Sequence, residues 1–170
     1  MKNRGRKMER IDPFLQVNIT DNVLDEFFQI TKKLKIKTCL LFGTCLGFIR
    51  DEGYIEDDND LDIGVICDEG KREMLITSLK ENGFTQRPPF LPSNSIPFFK
   101  NKVFVDVFFL EAKGFYSSFD SVQYKGKTYP VPHPIKEYLS ACYSNWKVKE
   151  MERARYISPK ETPGYRRKNT

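Results

Sequence analysis

Asp60 and Asp62 stand one residue apart in the run 60–67, DLDIGVIC, whose other residues are almost all apolar. Alternation of this kind predicts a strand. Both carboxylates then point to one face, while Leu61, Ile63 and Val65 point to the other, into a core. Two carboxylates held side by side do not both stay charged without a counter-cation. A hard divalent ion such as Mg²⁺ or Mn²⁺ is satisfied by oxygen ligands of this sort together with substrate phosphates. A third acid, Asp106, sits between Val105 and Val107 in the stretch 102–110, KVFVDVFFL. A carboxylate there is costly to bury unless it is paired or metal-bound. If the two strands are neighbours, Asp106 completes a three-carboxylate site. Such a site can hold two ions about 3.5–4 Å apart that clamp the entering and leaving oxygens of a phosphoryl transfer.

The segment upstream fits the same chemistry. Gly43 and Thr44 follow a short apolar run, TCLLF at 38–42, and open a predicted helix over 43–50. That leaves backbone N–H groups and a hydroxyl for a phosphate. Gly47 lets this helix approach another backbone closely, and Arg50 offers a guanidinium fork to a phosphate oxygen. An isolated acidic pair, or an isolated Gly-Thr turn, is an ordinary surface feature. The order is what points to a metal and phosphate site: strand, Gly-Thr, Gly, acidic pair on a strand, single acid inside a later apolar strand.

Those residues need a scaffold, and the pattern supplies one. Asp21 reads as the N-cap of an amphipathic helix running to Lys35, with Val23, Leu24, Phe27, Phe28 and Ile30 at helical spacing. A helix is predicted over 70–82, ended by Gly83. The Pro-rich stretch RPPFLPSNSIPFF reads as loop with an edge strand. Residues 115–131 suggest a hairpin turning at Lys125-Gly126-Lys127, and 134–143 a final helix. Alternating helices and strands describe a small α/β domain.

Composition bounds the rest. The chain has 170 residues, 39% of them apolar and 14% aromatic, enough for one real core. No apolar run approaches the roughly 20 residues of a membrane-spanning helix. The N-terminus lacks the apolar segment of a signal peptide, so the expectation is a cytoplasmic protein. Four cysteines without a CxxC pair, and His133 as the only histidine, exclude the usual zinc spacings and argue against a disulfide framework. The net charge of +5 is segregated. Residues 1–20 read as a basic extension, 21–150 as the catalytic domain and 151–170 as a basic tail. Basic ends suit an anionic polymer or a membrane surface, and equally a solvated, frayed terminus. Between them, 51–62 carries seven acids and no base, a repulsion that a bound cation would relieve.

Other residues read as structural. His133 lies in a loop between prolines, Glu56 and Asp57 are solvated, Lys100 and Lys102 flank a strand edge, Trp146 anchors the last helix, and Tyr54 and Phe48 pack.

Residues 40–66, LLFGTCLGFIRDEGYIEDDNDLDIGVI, resemble the signature of the LicD and fukutin-related family of the nucleotidyltransferase superfamily. In that family a Gly-Thr-x-Leu-Gly segment and an Arg precede a loop ending in an acidic cluster. The downstream YPVPHPIKEYLSACYSNW resembles the family's Pro-x-Pro…Tyr-Leu…Trp segment, so the likeness spans residues 24–147. It implies a minimal nucleotidyltransferase fold, a small mixed sheet flanked by helices. It also implies metal ligands at Asp60, Asp62 and Asp106, with donor-binding positions at Gly43, Thr44, Gly47, Arg50 and Asp58. The family's Trp before the acids is Asp57 here, its middle Asp is Asn59, and its Gly-Asp before Trp146 is Ser144-Asn145. The implied reaction moves a phospho-alcohol unit (phosphocholine, alditol phosphate or sugar phosphate) from a CDP-type donor to a glycan or other hydroxyl. Relatives instead transfer a nucleotide from a nucleoside triphosphate to RNA, protein or a small molecule. A third class, a non-catalytic nucleotide-binding protein on this fold, is disfavoured by the intact acids.

Overall fold

A computed structural model describes residues 13–56, 58, 60–88 and 95–149, with side chains from Leu15 onward. Both basic termini therefore lie largely outside the described residues, as does 89–94 of the Pro-rich stretch.

Twelve elements follow in order: α1 (Pro13–Lys33), β1 (Lys37–Leu40), α2 (Phe42–Arg50), β2 (Asp60–Ile66), α3 (Glu69–Glu81), β3 (Thr85–Gln86), β4 (Ser95–Lys100), β5 (Val103–Phe109), a 3-10 turn (Gly114–Tyr116), β6 (Phe119–Tyr124), β7 (Lys127–Pro132) and α4 (Ile135–Cys142). The main sheet has the order β1-β2-β5-β4-β3. Only β2 and β5 run parallel; the other neighbours are antiparallel. This is the mixed sheet flanked by helices that the sequence leads one to expect.

Alternation decides the two faces. Leu61, Ile63 and Val65 of β2 and Val103, Val105 and Val107 of β5 are fully buried on one side. There they join Val23, Leu24, Phe27 and Ile30 of α1 and Leu75 and Leu79 of α3 in one core. Phe27 meets Phe84 edge to face, a geometry that the ring quadrupoles favour. The opposite face carries the acids, and α2 packs over it against β2, with Phe42 reaching Phe108 of β5 edge to face at 5.2 Å.

Four boundaries differ from expectation. Helix α1 begins at Pro13, not after Asp21. Proline suits a first helical position because its missing N–H would have no partner there. Asp21 is thus mid-helix, and the division at residue 21 falls inside α1. Its carboxylate caps nothing; it accepts from the Tyr54 hydroxyl (2.8 Å), the Tyr124 hydroxyl (3.0 Å) and the Lys125 ammonium (2.6 Å). Second, β4 is not an edge strand, since β3 lies outside it. The two residues of β3 pair with Phe98 and Phe99, so Pro97 sits just beyond the ladder and proline is tolerated. Third, α3 starts at Glu69, where Asp68 accepts the Lys71 N–H at 2.8 Å as its cap. Fourth, Lys100 is not solvated: it is ion-paired to Glu26 at 2.6 Å and donates to the Asn82 carbonyl.

Strands β6 and β7 form a separate hairpin. Lys125 (φ 46°) and Gly126 (φ 76°) make its turn, both left-handed as a two-residue hairpin requires. Asp21 and Asp25 fasten this hairpin to α1, Asp25 through the Tyr129 hydroxyl (2.9 Å) and Lys127.

Candidate active site

The parallel pairing of β2 with β5 sets Asp62 directly opposite Asp106 and Asp60 opposite Phe104. Directly paired residues in a sheet have Cβ atoms about 4.5–5.5 Å apart, so two carboxylates distant in sequence share one patch. Asp60 is exposed; Asp62 and Asp106 are half-buried, open to solvent on the acidic face.

A third element aims at the same spot. The Gly43 N–H, in the first turn of α2, donates to Asp62 Oδ2 at 3.2 Å. The Thr44 hydroxyl accepts the Asp62 backbone N–H at 2.9 Å, and the Leu41 N–H donates to the Asp62 carbonyl at 2.9 Å. Asp62 is therefore gripped from three sides by the strand-to-helix turn. The Thr44 side chain is 2% exposed, so the hydroxyl expected to be free for a phosphate is instead used to tie α2 to β2. Leu41 precedes the helix, and the Phe42 N–H donates to the Tyr138 hydroxyl of α4 at 3.1 Å. Tyr138 therefore holds the turn from behind, with no local sequence signal to announce it.

Gly43 is glycine for a steric reason. A Cβ there would stand 2.6 Å from Asp58 Oδ2 and 3.5 Å from Asp62 Oδ2. Asp58 is thus brought into the cluster from the loop, where its N–H donates to the Ile55 carbonyl at 3.1 Å. Gly47 faces elsewhere. A Cβ on it would meet the Gly53 carbonyl oxygen at 2.4 Å, so its absence lets the loop that carries Asp58 lie against α2. Arg50 is at the far end of α2. Its guanidinium forks onto the neighbouring Asp51 carboxylate, Nε to Oδ1 at 2.7 Å and Nη2 to Oδ2 at 2.8 Å. Seven residues of helix rise place it about 10 Å from Gly43. The structure thus brings Asp58, Asp60, Asp62, Asp106, Gly43 and Thr44 together, with Gly47 behind them and Arg50 at a remove.

The electrostatics are those of crowded acids. Burial, then the hydrogen bond and charge of Asp60, push the Asp58 carboxyl up to about 7. Asp62 is raised well above the usual carboxylate range by burial and by the charges of Asp60, Asp106 and Asp58, against the opposing Gly43 N–H. Burial also raises Asp106, offset in part by a hydrogen bond from Ser95. Ser95, which sequence reasoning passed over, follows a stretch of prolines; the β4–β5 register sets it opposite Phe108, diagonal to Asp106.

Among the described residues no three of these acids stand together as a group that holds a metal ion; Asp58 and Asp60 are hydrogen-bonded to each other. The donor chemistry nevertheless fits a hard divalent cation, which would replace the proton that crowding retains. Every side-chain donor atom of the four acids is an oxygen, the kind favoured by Mg²⁺ or Mn²⁺ over softer metals.

Of the residues read as structural, His133, Tyr54, Phe48 and Trp146 stay outside this patch, and Asp57 lies outside the described residues. His133 Nδ1 is 2.9 Å from Asp120 Oδ1 on the hairpin. Tyr54 and Phe48 pack edge to face. Trp146 packs partly against the core and donates to Ser140 Oγ at 3.1 Å. Cys39, Cys45 and Cys142 are buried, and none of them is in a disulfide.

Comparison with known proteins agrees with this geometry. The LicD/FKTN/FKRP nucleotidyltransferase domain matches residues 35–138, more than half of the chain. No curated protein matches in sequence. Among solved structures, the lincomycin-bound lincosamide antibiotic adenylyltransferase LnuA superposes with a TM-score of 0.53 at 14% identity, covering 72% of this chain and 83% of that one. A Thermotoga maritima protein assigned to the nucleotidyltransferases gives 0.53 at 13% identity, covering 79% and 88%. At such identities the likeness establishes the fold: a mixed sheet of the nucleotidyltransferase type. Family and fold together indicate a transferase. The chain belongs to the LicD/FKTN/FKRP nucleotidyltransferase-domain family.

Proposed function

We propose that this protein is a metal-dependent transferase that moves a phospho-alcohol unit (phosphocholine, alditol phosphate or sugar phosphate) from a CDP-type donor to a glycan hydroxyl. The observation that supports this best is the register pair Asp62–Asp106 beside the Gly43 N–H. It collects carboxylates and a helix N-terminus at one point where a phosphate can sit.

Asp60, Asp62 and Asp106 would hold Mg²⁺ or Mn²⁺, with Asp58 close enough to contribute. The bound ion supplies charge neutralisation at the phosphate oxygens and at the leaving group. The chain's own residues do the rest. The turn at Leu41, Gly43 and Thr44 fixes Asp62 through three hydrogen bonds, so this carboxylate is placed before substrate arrives. Asp106, whose proton affinity burial has raised, takes the proton of the acceptor hydroxyl. The hydroxyl oxygen bonds to the phosphorus that carries the alcohol, the opposite bond to the bridging oxygen breaks, and the nucleoside monophosphate leaves with that electron pair.

The acids would equally serve nucleotide transfer from a nucleoside triphosphate, and the fold shared with an adenylyltransferase keeps this as the second reading. The two differ in product. With Mg²⁺ and CDP-choline or CDP-ribitol, the first reading expects CMP release that stops with chelator. Pyrophosphate released from a triphosphate, with no CMP from either donor, would replace it by the second.

A further inference from the structure

The acidic face does not end at Asp106. In the paired register, Asp60 of β2 lies opposite Phe104 of β5, and Phe104 lies opposite Phe99 of β4. Opposed residues share a face, so both rings stand on the acidic side of the sheet. Phe104 is 41% exposed, in a strand whose neighbouring valines are fully buried. The rings are 4.8 Å apart, centroid to centroid, at an interplanar angle of 55°. The Arg87 guanidinium lies over Phe99 at 5.2 Å from the ring centroid. An exposed ring on an otherwise core-building strand, backed by a half-buried one on the next strand, offers its open face to solvent.

Its place relative to the acids gives that face a role. Across the sheet the order is Gly43 and Thr44 over Asp62, then Asp106, then Pro97 and Phe99, then β3. In-line displacement puts the entering and leaving oxygens on opposite sides of phosphorus. With the donor phosphates at the Gly43 turn, the acceptor enters from beyond Asp106. Phe99, with Arg87 over it, lies on that side, and Phe104 stands on the same face of β5, two residues from Asp106. The charges there also select the acceptor. Asp60 stands opposite Phe104 and Asp106 two residues along β5 from it, with Arg87 stacked on Phe99, so the platform lacks the cluster of cations that a polyanion needs. A sugar ring offers a face of polarised C–H bonds to the negative face of an aromatic ring, and hydroxyls to the guanidinium.

We propose that Phe104 and Phe99, flanked by Arg87, form the acceptor subsite and stack a neutral sugar ring so that its hydroxyl points at Asp106. This rests on the transfer reading above and adds the residues that recognise the acceptor.

The test is a binding measurement on the full chain with Mg²⁺. Saturation-transfer NMR would be run against a panel of methyl pyranosides and neutral tri- and tetrasaccharides, with CDP-choline affinity measured in parallel by calorimetry. The wild type is expected to saturate the ring C–H protons of at least one saccharide. In Phe104→Ala and in the milder Phe99→Leu that saccharide should bind about five- to ten-fold more weakly, the scale of one aromatic contact. CDP-choline affinity should stay unchanged. Saccharide binding equal in wild type and both variants, or no saccharide contact while CDP-choline binds, overturns the subsite and leaves the transfer reading standing. A single-stranded oligonucleotide that takes up saturation in place of the sugars, and loses it in Phe104→Ala, overturns the sugar assignment. Failure of CDP-choline to bind while saccharide contact at Phe104 persists counts against the transfer reading alone.

Discussion

At Asp62 two demands conflict. The carboxylate is hemmed in by Asp58, Asp60 and Asp106, which raise its proton affinity, yet the Gly43 N–H favours its charged form. Acids crowded in this way destabilise the fold that holds them, as functional sites commonly do. Asp62→Asn and Asp106→Asn should therefore lower turnover by at least about 100-fold, while the thermal midpoint in chelator holds or rises. A wild-type rate in either folded variant would remove that carboxylate from the proposed chemistry. Asp58 gives the same conflict a pH signature. Its folded carboxyl holds a proton up to about pH 7, whereas in the unfolded chain it ionises in the ordinary carboxylate range. The native state therefore binds more protons between about pH 4 and about pH 7, and stability falls as pH rises through that window. Above it the penalty is constant. Thermal melts in chelator should show this slope, Asp58→Asn should flatten it, and Mg²⁺ should restore more stability at the alkaline end than at the acid end.

The loop between α2 and β2 carries Asp58, and two contacts hold it. One is the close approach at Gly47. Ala there would drive a methyl group into the Gly53 backbone, and backbone cannot rotate away. Gly47→Ala should cost about 1–3 kcal/mol of unfolding free energy in urea titrations and should weaken Mg²⁺ binding by displacing Asp58. The other is Tyr54, whose hydroxyl reaches Asp21 on α1. Burial and the Asp21 charge hold that hydroxyl protonated far above its ordinary range, so it acts as a donor at every accessible pH. Tyr54→Phe keeps the ring packing against Phe48 and Tyr124 and removes one bond. About 1 kcal/mol should be lost, visible as a shifted urea midpoint with the same slope.

On the scale of the whole molecule, the site exists because one parallel pairing, β2 with β5, closes across α3, β3 and β4. Ligand binding should report on the whole fold. CDP-choline at about 100 times its dissociation constant, with Mg²⁺, should add about 2.7 kcal/mol of apparent stability and raise the thermal midpoint by several degrees. Asp62→Asn should abolish the shift. Much of this fold was legible in the chain. The alternation of 60–67 and the Val- and Phe-rich run 102–110 set two strands, and put Asp60 and Asp62 on one face, because side-chain period in a strand is fixed by backbone geometry. Gly43 and Gly47 marked the turn and the close approach, since only glycine leaves those volumes empty. Register and partner choice were not legible, because they depend on how separate segments bury their apolar faces together. Only the tertiary structure decided that Asp62 faces Asp106, that Asp58 closes on Gly43, that Arg50 turns to Asp51, and that Asp21 fastens a hairpin in place of capping a helix. Local sequence fixes which way a residue points; the fold decides what stands opposite it.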